Sequence, residues 1–525
     1  MAEELTHGRH AAPRLTPRQR WAVAALVLVV VVVRVALVLA VHADDPDRVV
    51  ENDTAGYVDP ARSLLEDGDY DRRPDTEWPE FVRTPGYPVF VAAAWFVSGE
   101  STPFLLAAQA ALGSLAVLFV VLLGLRLTRS FGIAFGSGVL VAVDPLQTAQ
   151  SGLIVTEAIA TALTTLALYL GVRFVESGFS VRWGALYATA LAAATYVRPA
   201  TYYFWILVVL ALGVGGWLHH RRRARAGTAD GAPAGDEPGR RAVDPARTPA
   251  LGRAILAVAL PSLVLLGAWN VRNHFAAGSW RFSGVEAINL YWYKAGALEA
   301  AASGEDLETT QVRLTEELNH DVPPFDYEAY RAGTTPPAWG DRPGEYYERA
   351  QSEAMAILLD DPVGTAGLVA EGIYGQVVQS GWRFAWQVLT GEAPPRPVEL
   401  AGLLAVWTTE ALAAVGVVVA LRRGSVRTRL AHLLTLGLLG FVVLASALGP
   451  DAAGGYRFRS PLWPTICLYA VLGAAHLATW WRDRRAVGAR PGPGTGAEGS
   501  GAGTGERDEV DAAVSVGEVE PVDAG

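Results

Sequence analysis

The sequence predicts an all-α integral membrane protein, a bundle of about ten transmembrane helices and at most twelve. Three observations carry that prediction. Apolar residues make up 51% of the 525-residue chain and charged residues only 18%. Apolar blocks of roughly twenty residues recur from Trp21 to Trp481, each long enough to cross a hydrocarbon core of about 30 Å. Basic residues gather between the blocks rather than within them. The same composition excludes a water-soluble globule and a disordered or fibrous chain. The single cysteine, Cys467, lies inside an apolar block, which excludes a disulfide frame and a cysteine metal site.

The first block, Trp21 to Val41, follows a basic arm over residues 1–20 that contains Arg9, Arg14, Arg18 and Arg20. As a retained helix it places the N-terminus in the cytoplasm of a cell-membrane protein. Further blocks run over 103–125, 132–150, 153–172, 183–198, 200–218, 251–271, 400–421, 430–449 and 459–481. If ten helices cross, the basic groups near 126–129, 173–182, 221–225, 422–429 and 482–485 all fall on the cytoplasmic side, and so does the C-terminus. Two large outer loops remain, 43–102 and 272–399. The first is acidic, with fourteen Asp/Glu against five Arg between Ala43 and Glu100. Gly86–Val97 and Val363–Val377 are too short or too mixed to span, and read as interfacial helices.

This divides the chain into an N-terminal membrane module (21–218), a linker (219–250), a C-terminal membrane module (251–481) and a tail (482–525). The linker is rich in Ala, Gly, Pro and charge, the tail in Gly and acid, and both read as disordered cytoplasmic segments. Within the second outer loop, Glu316 to Tyr347 has the composition of a small cap.

An ionised side chain at membrane depth costs about 2.5–3.5 kcal/mol on insertion scales, so charges that break the pattern are the informative ones. Asp53, Arg83, Asp144, Glu157, Arg198, Arg272, Arg457 and Arg459 all sit near outer helix ends. Arginines there run against the positive-inside bias, and an anionic ligand would supply the reason. Each also has a structural reading. Asp53 would cap a helix beginning near Thr54; Glu157 would suit the positive end of the 153–172 helix; Arg83 and Arg198 would anchor to lipid headgroups. Arg34 carries no functional reading. The order of motifs favours function. Asp53-x-x-x-Tyr57-x-x-x-Ala61, Leu64-Leu65-x-x-Gly68 and Arg83-Thr84-Pro85-Gly86-Tyr87-Pro88 follow one another in the first loop. Thr156-Glu157-Ala158, Arg198-Pro199, Trp269-Asn270-x-Arg272-Asn273 and Tyr456-Arg457-x-Arg459-x-Pro461 come after.

In that order the motifs resemble the GT-C lipid-linked glycosyltransferases, specifically the dolichyl-phosphate-mannose-protein mannosyltransferase-like branch that includes bacterial aminoarabinose transferases (glycosyltransferase family 39). The resemblance covers about 20–290 and 400–480. It implies a GT-C-like helix bundle and inverting transfer of a sugar from a polyprenyl-phosphate donor, at the outer face, to a protein, polysaccharide or lipid acceptor. Mannose is the family-level default for the sugar, and no nucleic-acid partner is expected. Asp53 matches the family's first-loop catalytic carboxylate, and Glu157 an acidic position in a later helix. Arg83, Arg198, Arg457 and Arg459 are the expected phosphate ligands; Tyr57, Tyr87 and Arg272 the expected substrate contacts. Where the aminoarabinose branch has Glu-Lys-Pro-Pro, this chain has Arg83-Thr84-Pro85-Gly86, which speaks against that sugar.

The chemistry agrees. A carboxylate must take the acceptor's proton, and partial burial is expected to raise the pKa of Asp53 toward that task. Asp53 and Glu157 also offer oxygen ligands to a divalent cation such as Mg or Mn, although two carboxylates do not make a metal site. The competing readings are a transporter or flippase of lipid-linked sugars and a non-catalytic membrane scaffold.

Overall fold

The computed structural model describes residues 15–74, 78–229, 248–319, 342–422, 424–449 and 454–488. Among them the chain is helical, apart from loops and one isolated antiparallel bridge, Asp71 to Pro79. The first span is α1 (Pro17–Asp44), opened by Pro17 and by a reciprocal cap between Thr16 and Gln19. Two short helices follow, α2 (Ala55–Glu66) and α3 (Gly86–Ser98), the latter ended by the left-handed Gly99. Then come α4 (Thr102–Thr128), α5 (Phe131–Ala142), α6 (Pro145–Ser151), α7 (Glu157–Glu176), α8 (Val181–Val197), α9 (Phe204–Ala229) and α10 (Thr248–Ala277).

The second long loop is itself helical, with α11 (Val285–Ile288), a π-helical stretch Asn289–Ala295, α12 (Gly296–Ser303), α13 (Leu307–Leu318), α14 (Pro343–Asp360), α15 (Pro362–Val378) and α16 (Trp382–Thr390). Three more helices complete the chain: α17 (Arg396–Arg422), α18 (Val426–Ala447) and, after the short α19 (Gly455–Arg459), α20 (Trp463–Gly488). Much of the expected cap, 316–347, lies outside the described residues, but α13 and α14 flank it. Most of the linker also lies outside them, and so does the tail beyond Gly488. Of the linker, residues 219–229 belong to α9. A second compact unit begins at Ala478. In it Arg484 and Arg485 lie over the rings of Trp480 and Trp481.

Every expected block meets a helix. Eight helices among the described residues are long and apolar enough to cross a membrane, or nine if the bent pair α5 and α6 forms one span. Two expected crossings differ from simple spans. The 183–198 block becomes α8, whose 17 residues measure about 25 Å at 1.5 Å per residue, the short end of what spans a bilayer. The 132–150 block breaks at Asp144 by 57°. The cause is local: Pro145 disfavours helical backbone at the residue before it, and Asp144 instead caps α6 by accepting from Gln147 N at 3.1 Å. Arg34, buried in α1, donates to Val141 O at 3.2 Å, one of the carbonyls freed where α5 stops. The sequence alone gave Arg34 no task; the broken helix does.

The central span is α7, packed against α4, α8 and α18. The main apolar cluster fills that junction with residues such as Val117, Leu123, Leu168, Phe174, Leu191 and Leu438. A separate cluster joins the first long loop to the second, where Phe81 and Val82 pack with Leu290, Tyr291, Tyr346 and Tyr347. Backbone bonds seal that seam. Gly284 N donates to Phe81 O at 2.9 Å and the Ser283 hydroxyl donates to Val82 O at 2.5 Å.

Candidate active site

Five separate stretches of chain meet where α7 begins and α8 ends. Asp53 sits in the turn before α2. That turn closes on itself, with Thr54 N donating to Glu51 O and Glu51 N to the Thr54 hydroxyl, both at 2.9 Å. It is also pinned to the segment leading into α7, because the Thr54 hydroxyl donates to Ile154 O (3.2 Å) and Ile154 N donates to Val49 O (3.0 Å). Thr54 rather than Asp53 occupies the cap position of α2 and makes no side-chain cap bond. Asp53 is therefore not spent on helix capping. Its Oδ1 accepts from Arg83 Nη2 at 2.7 Å and its Oδ2 from Arg457 Nη2 at 3.3 Å.

Glu157 opens α7 and is 1% exposed. A lone carboxylate there would be strongly disfavoured, and two guanidiniums offset it. Its Oε1 accepts from Arg457 Nε at 2.8 Å and lies 3.2 Å from Arg198 Nη1. Arg198 reaches it because Pro199 forces extended backbone at the end of α8. Its guanidinium also lies 5.0 Å over the Phe458 ring. Headgroup anchoring is therefore not where the structure puts Arg198. The result is a continuous alternation, Arg83–Asp53–Arg457–Glu157–Arg198. Three of its members, Asp53, Arg83 and Arg457, have side chains between 24% and 33% exposed, so one side of the cluster is open to its surroundings.

Tyr57 floors the open side. Its hydroxyl accepts from Arg83 Nη1 at 3.3 Å and its ring lies 4.9 Å beneath the Arg83 guanidinium. Tyr87 is wholly enclosed and meets Tyr57 edge-on at 5.1 Å. It supports Tyr57 from behind and does not face the opening, unlike the substrate contact the sequence suggested. Gly86 gives the Arg-Thr-Pro-Gly-Tyr-Pro element its physical meaning. A Cβ there would lie 2.6 Å from the Tyr196 carbonyl, so only glycine lets α3 abut the last turn of α8 and bring Arg83 and Arg198 to the same cluster. Gly86→Ala is expected to separate them, lowering sugar transfer at least tenfold and detergent melting temperature by several degrees. Parallel measurement of both would expose unchanged values as evidence against this packing argument.

Two expected site residues lie elsewhere. Arg459 is buried and donates to Gln376 O (2.9 Å), Ser380 O (3.2 Å) and Glu410 Oε1 (3.2 Å). It anchors the end of α15 to α17. The reason is geometric: two residues apart on a helix turn side chains by about 200°, so Arg457 and Arg459 point to opposite sides. Arg272 donates to Glu80 O and Tyr70 O, both at 2.6 Å, between the rings of Tyr70 and Trp269. With Asn273, which donates to Phe282 O at 3.1 Å, it clamps the first loop to the start of the second.

The electrostatics differ from the sequence expectation. Burial would raise the Asp53 pKa, but the Arg83 and Arg457 guanidiniums outweigh it and hold the carboxyl below its usual range. Burial likewise raises Glu51, next to this cluster, with Arg457 pulling down and Glu157 and Asp53 pushing up. The Tyr57 hydroxyl is raised by burial. Both carboxylates spend oxygens on guanidiniums in this arrangement. Among the described residues, no three His, Cys, Asp or Glu side chains gather to hold one.

Sequence reasoning passed over Glu80, Gln109 and Glu410. Glu80 Oε1 accepts from Val82 N (2.6 Å) and Arg83 N (2.7 Å), fixing the backbone that carries Arg83. An amide and a carboxylate inside the otherwise apolar α4 and α17 were the available signals for the other two.

Comparison with known proteins bears on this cluster. Residues 89–221 match the family model described as dolichyl-phosphate-mannose-protein mannosyltransferase. The matched stretch contains Glu157 and Arg198 and begins after Asp53 and Arg83. No curated protein matches the chain. Among solved structures, one similar to this chain is the archaeal oligosaccharyltransferase AglB from Archaeoglobus fulgidus, solved with an inhibitory peptide and a dolichol-phosphate. It is 14% identical with a TM-score of 0.45, over 89% of this chain and 52% of that one. This chain thus spans about half of AglB. Another is ArnT from Cupriavidus metallidurans bound to undecaprenyl phosphate, 16% identical with a TM-score of 0.29, over 88% of this chain and 81% of that one. Over residues 89–221 the chain is thus similar to that mannosyltransferase family, and the match agrees with the order of the motifs in the sequence.

Proposed function

We propose that this protein transfers a sugar from a polyprenyl-phosphate donor to an acceptor hydroxyl at the outer face of the cell membrane, inverting the anomeric centre. One observation carries the reading. Asp53 and Glu157, more than a hundred residues apart, share a part-open cluster with three guanidiniums. That is an arrangement for handling a proton and a phosphate together. Asp53 takes the acceptor's proton as its oxygen bonds to the anomeric carbon. The bond from that carbon to the phosphate oxygen breaks, and its electron pair leaves with the polyprenyl phosphate. Arg457, Arg198 and Arg83 stabilise the departing anion as charge-assisted donors. Glu157 holds Arg457 and Arg198 in place; no step is routed through a metal.

The depressed pKa of Asp53 belongs to the unliganded cluster. A phosphate that engages Arg457 draws that guanidinium from Asp53 Oδ2 and raises the carboxyl's proton affinity as the donor arrives. The outer-face placement rests on the basic clusters between spans. The transporter reading draws on the Glu410–Arg459 pair within the spans, but that pair is accounted for as an anchor of α15.

The test is mass analysis of envelope glycans, glycoproteins and lipids from cells with and without the gene. A saccharide missing from the deletion strain, restored by the full chain in membranes given polyprenyl-phosphate mannose or another polyprenyl-phosphate sugar, identifies sugar and acceptor together. An unchanged envelope would overturn the enzyme reading.

A further inference from the structure

Gln109 lies about two turns into α4 and is 0% exposed. Both ends of its amide are engaged. Oε1 accepts from the Tyr87 hydroxyl, and Nε2 donates to Leu153 O (2.6 Å), Ser151 O (3.1 Å) and, more weakly, Gln150 O (3.4 Å). These contacts lead in two directions. Through Tyr87 the amide reaches Tyr57, on which the Arg83 guanidinium rests, and Arg83 holds Asp53. Through the 150–153 turn it reaches the segment that delivers Glu157, whose Oε1 receives Arg457 and Arg198. That same segment grips the Asp53 turn through Ile154.

We propose that Gln109 is a positioning residue for sugar transfer, a strut that sets the spacing between the Asp53–Arg83 half of the cluster and the Glu157–Arg457–Arg198 half. The inference rests on the function proposed above. The choice of residue follows from its chemistry. A primary amide presents a donor and an acceptor from one planar end without carrying charge. A leucine of similar size takes the acceptor from the Tyr87 hydroxyl in a buried place and leaves the Leu153 carbonyl with Val155 N alone. A glutamate meets the same carbonyls with a second acceptor. The polyprenyl phosphate touches neither Tyr87 nor Gln109, since both are enclosed. Loss of the strut therefore acts on alignment of the reacting atoms, to which rate is steeply sensitive: displacement by about 1 Å can cost 10²-fold.

The experiment compares the full chain carrying Gln109→Leu, Tyr87→Phe and the double substitution, with Asp53→Asn alongside, in membranes of the deletion strain. Readouts are the initial rate at saturating polyprenyl-phosphate sugar, the donor concentration giving half that rate, and detergent melting temperature. Gln109→Leu is expected to lower the saturated rate about 10- to 100-fold with the half-saturating concentration changed less than about threefold. Tyr87→Phe is expected to give a smaller loss, and the double variant a rate no lower than Gln109→Leu alone, because one strut cannot be cut twice. A fall in melting temperature with the rate per folded molecule intact would show a purely structural role and overturn the proposal. If Gln109→Leu does not accumulate, Tyr87→Phe, which deletes one hydroxyl, decides alone, and an undiminished rate overturns it. Full transfer by Asp53→Asn would instead overturn the functional reading itself.

Discussion

Asp53→Asn is expected to lower sugar transfer by about 10²–10⁴-fold, the usual contribution of a positioned general base, while leaving donor binding intact. The amide keeps the size of the carboxylate and can still accept from Arg83 or Arg457, so the cluster holds its shape. What disappears is the ability to take a proton. Donor affinity should hold or rise, because one negative charge no longer competes with phosphate for Arg457. Rate and binding must be measured separately, with polyprenyl-phosphate sugar as the binding probe. The pH dependence adds an internal check. Because Asp53 is held below the ordinary aspartate value of about 3.9 in the free protein, it stays ionised on acidification to below that value. The acid limb of kcat/KM should therefore lie lower than for an ordinary carboxylate, and the stabilising ion pairs of Asp53 should be lost only as pH falls through the same depressed range. Arg83→Gln, which removes one of the two guanidiniums responsible, should move that limb upward. An acid limb indifferent to Arg83 would mean that another group is the base.

The second large effect is expected at Arg457, the one guanidinium among the described residues that touches both carboxylates. Arg457→Gln leaves Glu157, almost without solvent, with Arg198 as its remaining charged partner. Breaking a buried pair costs about 3–5 kcal/mol, and the remaining arginine places this case near the lower figure. The same substitution removes a phosphate ligand, so donor affinity and transfer rate should both fall. Adding Glu157→Gln separates the two losses, since it relieves the unpaired charge but restores no cation. The double variant should regain most of the melting temperature and none of the transfer. Recovery of transfer with stability would show that Arg457 acts only as a counter-ion.

Most of the membrane architecture was legible in the sequence because a bilayer demands long apolar runs, and these runs stand out whatever their packing. The break at Asp144 was less visible. The hydropathy of 132–150 is continuous, and only the Asp-Pro pair marks the place where the helix stops. Among site residues, Asp53, Glu157, Arg83, Arg198 and Arg457 were legible as charges in costly positions, and the structure joins them into one alternation. Arg459 was assigned with Arg457 because the two are neighbours in sequence, yet helical rotation sends them apart. Arg272 carried the same charge signal for a different reason, capping carbonyls of the first loop. Glu80 and Gln109 escaped notice because their partners are backbone groups in distant segments. No spacing rule within one helix or loop records such partners. The pKa of Asp53 was misjudged for a related reason: burial is readable from sequence, whereas the pair of arginines that outweighs it comes from positions 30 and 404 residues away.

The seam between Ser283–Gly284 and Phe81–Val82 has a practical consequence for anyone grafting the second loop between such proteins. A chimera that swaps the second loop from residue 272 onward replaces one side of the clasp that holds the backbone just ahead of Arg83, and is expected to lose activity for that reason alone. A junction placed after Ile288 leaves the clasp native. The backbone that carries Arg83 then keeps its support while the imported helices vary, so what the second loop contributes becomes measurable by itself.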